Sequence, residues 1–483
     1  MGRWRNATVR SIACAGLALL AASCGSLTEN RELSLDGPSQ ATDGVAGKSK
    51  IAGSIFRATA VATVRQPVTT VRTGLAVLWN RPQALLTGNV PVSLPLTEPS
   101  PSPPGSEGFE RELDRMGMRP REVGTMRWLL DGKEFFPALD RHLGAAENSV
   151  DLQVFIFDND DIAVRYADRL RDLSGRRRVR VLYDDIGSAV AQTVAPETPA
   201  PEGFVAPSDM RAYLREGSEV SARRVLNPWF VCDHTKLIVT DHRRALLGGM
   251  NIGREYYSEW HDLMIEVEGP VVSSLALEFS RAWRKAGPAG DFALLRAPAF
   301  VRRPVPSGGG VPVRLLRTDP AVGKYEVYDA TLLAARSARE RIWVENPYFA
   351  SDEIALELAN AARRGVDVRV ILPSRGDSTI MDHGNMATAR DLMAAGAKVY
   401  RYPKMTHMKV MICDGWAHAG SANLDTLSLR INRELNLATN DSTAVRDLER
   451  RVFLPDFRVS RRVRMSETES LIAPIAEAVA DQL

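Results

Sequence analysis

An internal duplication constrains this chain more than any other feature. From about residue 108 one pattern runs through twice. The apolar run 150–157 (VDLQVFIF) is followed by Asp161, Ile162 and Ala163, a helical stretch to about Leu173, and the run 179–183 (VRVLY). The second pass has 342–349 (IWVENPYF), then Glu353, Ile354 and Ala355, a helical stretch to about Arg364, and 366–372 (VDVRVIL). The likeness continues with 214–220 (LREGSEV) against 393–399 (MAAGAKV). Short apolar runs separated by segments of helical period predict βαβ units on a mixed, mostly parallel sheet. Two copies are too few for a solenoid. They predict an α/β fold of two pseudo-twofold-related α/β/α domains, 108–300 and 311–483, with a site at their interface.

Each copy carries one His-x-Lys-x4-Asp segment: His234, Lys236 and Asp241, then His407, Lys409 and Asp414. Each is followed by a glycine-led step and an asparagine: Gly248, Gly249 and Asn251, then Gly420, Ser421 and Asn423. Strand alternation puts the histidine and lysine of each motif on one face. Asp241 and Asp414 lie an odd number of residues further on and are expected to point elsewhere, with a structural role at a turn. Asp414-Gly415 is itself a hairpin signal. The glycines are expected to run past the histidines, where a missing side chain admits a phosphate, and the asparagines to donate to its oxygens.

Counting exposes a further symmetry, since Asp262 follows Asn251, and Glu434 follows Asn423, by eleven residues. One carboxylate per copy at the same register predicts a pair that orients the imidazoles by accepting the proton on the unreactive nitrogen. A chain with only seven histidines does not carry two such matched sets by accident. His142, His242 and His418 are expected on the surface or in turns, His261 facing away from the site, and His383 in a loop, with a place at the substrate mouth as its alternative. Five residues separate Asp414 from Gly420 against six in the first copy, which predicts a tighter hairpin. Gly249 in place of Ser421 leaves one half-site without a hydroxyl. Cys232 and Cys413 read as small hydrophobes. No Cys/His spacing fits zinc, so neither metal nor cofactor is expected.

These paired motifs resemble the phospholipase D superfamily, through the whole body from about residue 108. Segments 129–136 (LLDGKEFF), 248–253 (GGMNIG), 346–349 (NPYF) and 420–425 (GSANLD) are similar to bacterial cardiolipin synthases. The resemblance implies metal-free phosphodiester chemistry through a phosphohistidine, with His234 as nucleophile and His407 as acid and base. Lys236, Lys409, Asn251 and Asn423 would surround the phosphoryl oxygens, and one histidine would be neutral while the other is protonated. It further implies phosphatidyl transfer with phosphatidylglycerol as donor and acceptor. Hydrolysis of phospholipids to phosphatidic acid is the alternative, and a nuclease a more distant one. Two copies in one chain complete a site without a second chain.

The amino terminus differs in kind. Residues 1–23 hold three arginines, no acid and the apolar run 12–22, a secretory signal too short to span a bilayer. The segment 20–24 (LAASC) resembles a bacterial lipoprotein cleavage box, which makes Cys24 a candidate for lipidation and the cell envelope the expected location. Residues 24–107 read as a basic tether and linker, ending in a Pro-rich stretch at 95–105. Between Asp43 and Glu98 there are six bases and no acid. Apolar residues lie among them, which allows either a basic amphipathic helix on anionic lipid or a tether with a short helix packed on the body. Pro67, Gly74 and Pro82 are expected to break any long helix. Without residues 1–23 the chain carries 59 basic and 59 acidic residues, so a basic segment is balanced by a mildly acidic body. That distribution gives no footprint for a nucleic acid and suits a membrane surface.

Overall fold

The computed structural model describes residues 44–87, 101–193, 196–295 and 310–468. The signal segment and Cys24 lie outside the described residues. The first copy contributes strands β1 (Glu122–Leu130), β2 (Ser149–Val154), β3 (Arg178–Asp184), β4 (Ser221–Val225), β5 (Leu237–Thr240), β6 (Arg244–Gly248) and β7 (Leu263–Glu268). The second contributes β8 (Val311–Asp319), β9 (Lys324–Tyr325), β10 (Arg341–Glu345), β11 (Asp367–Pro373), β12 (Lys398–Tyr402), β13 (Val410–Cys413), β14 (Trp416–Gly420), β15 (Glu434–Thr439) and β16 (Arg461–Arg462).

All join one sheet, in the order β16-β12-β11-β10-β13-β14-β15-β8-β1-β7-β6-β5-β2-β3-β4, with β9 against β8. Read outward from the central β8–β1 pair, equivalent strands appear in the same order on both sides. The duplication is therefore a pseudo-twofold in the structure, as expected. The balance of pairing is not: parallel ladders are confined to β2–β3–β4 and β10–β11–β12. The other ladders are antiparallel. Only strands joined by a crossover helix run parallel; the motif strands are joined by short turns or return beside their neighbour, and so reverse.

Alternation along the motif strands divides the core into layers. Leu237 and Val239 of β5 face one side with Val410 and Ile412 of β13, and a single core spans both copies there. The helix Val271–Lys285 covers it with Val271, Leu275 and Phe279, one face of a helix by spacing. On the opposite side each copy has its own core, with Ile238 in the first and Met411 in the second. The helix Glu107–Arg115 belongs to the second copy's core, where Phe109 meets Trp416 at 5.5 Å between ring centres. A boundary at residue 108 therefore cuts a helix whose apolar face serves the other copy.

The amino-terminal segment is helical over Gly44–Phe56, continues through Arg57–Val61 and Ala62–Arg65, and resumes as the helix Pro67–Thr87. The expected breaks at Gly74 and Pro82 do not occur. Pro67 opens the second helix, a place where its missing N–H costs nothing. Gly74 is where the helix meets the body: a Cβ there would lie 2.6 Å from Trp229 Nε1. Nor is the segment a loose tether. Arg57 pairs with Asp185, Gln66 Nε2 donates to the Lys285 carbonyl, and Thr69 donates to both oxygens of Asp291. Asn80 reaches Tyr325 and the Arg430 carbonyl. The buried face of this helix is thus polar, and its apolar residues Val68, Val71, Leu75, Leu78 and Trp79 are each at least half exposed.

Candidate active site

His234 and Lys236 stand immediately before β5, and His407 and Lys409 immediately before β13, at equivalent places in the sheet. Both lysines are fully or almost fully buried. Lys236 Nζ donates to the His234 carbonyl at 2.8 Å and Lys409 Nζ to the His407 carbonyl at 2.7 Å. An ammonium has three donors, and these bonds use one of each.

The carboxylates cross between copies. Glu434 of the second copy lies 3.0 Å from Nδ1 of His234 in the first, and Asp262 of the first lies 2.6 Å from Nδ1 of His407 in the second. In each pair Nδ1 faces the acid, which leaves Nε2 for chemistry. Burial pushes both imidazoles well below their ordinary value, and Lys236 and Lys409 of both copies press on each of them. Burial likewise lifts Glu434 to about 8 and Asp262 to about 7. The shifts run in opposite directions because burial disfavours the charged form of each partner. Burial also lowers Lys236 far from the usual lysine range and Lys409 to about 8. Two crowded ammoniums with spare donors make a site whose charge an incoming phosphate would offset.

Asp241 and Asp414 sit apart from this centre. Both adopt left-handed backbone, with φ of 54° and 50°. Asp241 accepts the amides of Glu147, Asn148 and Ser149 at 2.7–2.9 Å, and Asp414 those of Arg339, Glu340 and Arg341 at 2.9–3.0 Å. Each ties its hairpin to the start of the neighbouring strand. The second hairpin is the tighter one: Cys413 pairs with Trp416 across two residues, whereas Thr240 pairs with Arg244 across three.

The glycines are constrained by what lies beside them. A Cβ on Gly248 would lie 2.4 Å from the Leu263 carbonyl, and one on Gly420 2.4 Å from the Leu435 carbonyl. Both are needed for strand-to-strand approach. A Cβ on Gly249 would lie 2.2 Å from Asp262 Oδ1, so this glycine makes room for the carboxylate. Its counterpart Ser421 has the space for a side chain and donates its hydroxyl to Glu434. Asn251 Oδ1 accepts the Ile156 amide at 2.9 Å, while Asn423 Oδ1 is buried and meets no donor among the described residues.

Of the other histidines, three depart from expectation. His142 is buried with Nε2 2.8 Å from Glu266, and His418 is buried between Thr331 and Asn436. His383 is helical rather than in a loop, its Nδ1 2.7 Å from the Thr379 carbonyl one turn back. His242 takes part in the β5–β6 turn and His261 faces Asp131 and Asp456. Cys413 is buried, Cys232 half-buried, and neither is in a disulfide. The motifs carried no signal for the rings around the imidazoles. Phe155 lies 4.7 Å from the His234 ring and 5.0 Å from Lys236 Nζ, and Tyr256 and Trp260 lie 5.6 and 5.0 Å from the His407 ring. They pack against the two imidazoles, which are buried.

Comparison with known proteins agrees with this geometry. A family model described as "Cardiolipin synthase, PLD-like domain" matches residues 139–283 and 332–452, one stretch per copy. The chain is 31% identical over 377 residues to cardiolipin synthase A of Pseudomonas entomophila (strain L48), spanning 74% of each chain. It is 30% identical over 376 residues to cardiolipin synthase A of Pseudomonas syringae pv. syringae (strain B728a), with the same coverage. Among solved structures, phosphatidylserine synthase of Haemophilus influenzae Rd KW20 superposes with a TM-score of 0.60, over 77% of this chain and 100% of that one. At 13% sequence identity that likeness concerns the fold alone.

Proposed function

The chain belongs to the phospholipase D-like family of cardiolipin synthases, and from that premise we propose that it is a phosphatidyltransferase that makes cardiolipin from two molecules of phosphatidylglycerol. The observation that carries the reading is the pair of crossed histidine–carboxylate contacts flanked by two buried lysines. Nε2 of His234 attacks phosphorus, and the bond to the departing glycerol oxygen breaks. His407 Nε2 gives that oxygen its proton, leaving free glycerol and a phosphatidyl-histidine. The hydroxyl of a second phosphatidylglycerol then loses its proton to His407 and takes the phosphatidyl group from His234. Glu434 and Asp262 keep each Nδ1 occupied, so that Nε2 does the chemistry. Lys236 and Lys409 offset the charge that gathers on the phosphoryl oxygens. None of these steps calls on a metal or cofactor.

The amino-terminal helices support a lipid substrate. A globular helix normally buries its apolar stripe; the helix Pro67–Thr87 buries Thr69, Thr73 and Asn80 and turns apolar residues outward. The exposed Arg65 and Arg72 lie in the same acid-free stretch. Apolar residues with bases beside them fit the headgroup and acyl boundary of an anionic membrane. Beneath the helix a cleft of about 640 Å³ is lined by Val68, Leu226, Val231 and Val322 together with Arg72 and Lys285, and it reaches Asp233, the residue before His234.

The test is to incubate the purified protein with phosphatidylglycerol vesicles and separate the products. Cardiolipin with free glycerol is the expected outcome. Phosphatidic acid with glycerol would make the protein a phospholipase D. Cleavage of single-stranded DNA without a lipid product would overturn the lipid reading. His234→Ala and His407→Ala are each expected to abolish the reaction.

A further inference from the structure

A second cluster lies behind His407 on the seam between the copies. His261, Glu345 and Asp456 are buried, and one ligand atom from each lies within 4.8 Å of the others. His261 Nε2 is 3.2 Å from Asp456 Oδ2. Two ligands about 2.0–2.1 Å from a tetrahedral zinc stand about 3.3 Å apart, so the spacing suits a shared ion. His261 Nδ1 lies 2.7 Å from Asp131 Oδ1. That carboxylate accepts the hydrogen bond from Nδ1, the way outer carboxylates set metal-binding imidazoles, and turns Nε2 toward Asp456. Thr406 donates to Glu345 Oε1, while Oε2 is buried and meets no donor among the described residues.

The pseudo-twofold supplies an internal comparison. Arg433 takes the place of His261, each one residue before its orienting carboxylate, and Gln153 takes the place of Glu345. There Arg433 pairs with Asp233 at 2.8 Å, Glu278 at 3.2 Å and Asp319 at 3.8 Å. Glu278 also meets Arg119, Arg281 and Arg317. Arginines therefore balance the carboxylates on that side. On the His261 side, the ion pairs of Asp131, Glu345 and Asp456 with lysine or arginine reduce, among the described residues, to Lys133 with Asp131 at 3.5 Å. Glu345 and Asp456 are left facing one imidazole, and Glu345 has a carboxylate where its counterpart has a neutral amide. The one imidazole is paired with Asp456 and Asp131, so two buried acids share a single cationic partner, and a divalent cation would supply more positive charge there.

We propose that His261, Glu345 and Asp456 bind one divalent transition-metal ion of the zinc or manganese class, which imidazole with carboxylates suits. Two ligands come from the second copy and one from the first, so the ion clamps the copies together. It also holds the catalytic strands in register, because the His261 amide donates to the Met405 carbonyl and the His407 amide to the His261 carbonyl. The three ligands are spread from residue 261 to residue 456, a separation that no local spacing motif reveals.

The full chain, stripped with EDTA and dialysed separately against Zn²⁺ and Mn²⁺, tests this by elemental analysis and by Tm. The expected result is one bound ion per chain and a raised Tm, because an ion that binds only the folded state stabilises it. Glu345→Gln keeps the volume and the Thr406 contact; it is expected to retain one ion fewer and to show no Tm response. Asp456→Asn reads the same difference should the first variant fail to fold. Wild-type protein that retains neither ion, or variants that retain as much as wild type, would overturn the site. Neither readout depends on the lipid reaction.

Discussion

Glu434 lies 3.0 Å from Nδ1 of His234 although 200 residues separate them and they belong to different copies. The reciprocal contact, Asp262 to His407, crosses the seam in the opposite direction. Neither copy alone therefore orients its own histidine. Glu434→Gln and Asp262→Asn keep the shape of each pair but put an amide where the acceptor stood. The imidazole then turns or takes the other tautomer. A loss on the order of 10³–10⁴ in kcat is expected, with KM little altered and the far-UV circular dichroism unchanged. Near-wild-type kcat in both variants would remove the orienting role.

Gly249 and Ser421 occupy equivalent places but do not tolerate the same change. Gly249→Ser adds a Cβ 2.2 Å from Asp262 Oδ1 and displaces that carboxylate from His407. Activity is expected to fall at least 100-fold. Ser421→Gly only removes one hydroxyl from Glu434, and a lost hydrogen bond of about 1 kcal/mol corresponds to roughly a fivefold change. Parallel kinetics on the two variants check the ordering, and equal losses would refute the asymmetry.

Much of this was legible in the sequence, and the misses have physical causes. Strand alternation and equal spacing showed His234, Lys236, Asp262 and their counterparts, because those relations are local or repeated. Equal spacing cannot say whether a carboxylate serves its own copy or the other; the crossing needs the β8–β1 junction. The packing constraint on Gly248 and Gly420 was not legible because it lies on a neighbouring strand, at the Leu263 and Leu435 carbonyls, rather than in their own segment. The parallel share of the sheet was overestimated because apolar runs look alike in either direction; connection length decides. His142 and His418 passed as surface residues because a lone histidine carries no periodic signal, and only tertiary packing buries them.

The outward apolar face of the helix Pro67–Thr87 predicts membrane binding separable from catalysis. Leu75, Leu78 and Trp79 are each more than 60% exposed, so replacing them with serine removes no packing on the body. Burying a side chain of this size contributes about 1.5–3 kcal/mol. Leu78→Ser with Trp79→Ser is expected to weaken sedimentation with phosphatidylglycerol vesicles more than tenfold while Tm stays within a degree or two. Added salt should weaken wild-type binding as it screens Arg65 and Arg72. Unchanged vesicle binding in the double variant would rule out this face as the docking surface.

His418 makes stability fall on the acid side of neutrality. Asn436 Nδ2 donates to its Nδ1 at 3.1 Å, so the neutral ring carries its proton on Nε2, 3.2 Å from the Thr331 hydroxyl. Thr331 spends its own proton on the Val327 carbonyl. A second proton on Nδ1 would oppose a donor to a donor inside the core, and burial alone lowers His418 from 6.5 to about 4. Folded His418 thus binds its proton less readily than the unfolded chain does. Its contribution is complete above pH 6.5, declines as the unfolded imidazole becomes protonated, and is lost as pH falls through 4, in total about 3 kcal/mol. His418→Gln cannot titrate. Urea midpoints measured between pH 7 and pH 4 should therefore decline less steeply in the variant than in wild type, and parallel curves would show that His418 stays neutral in both states.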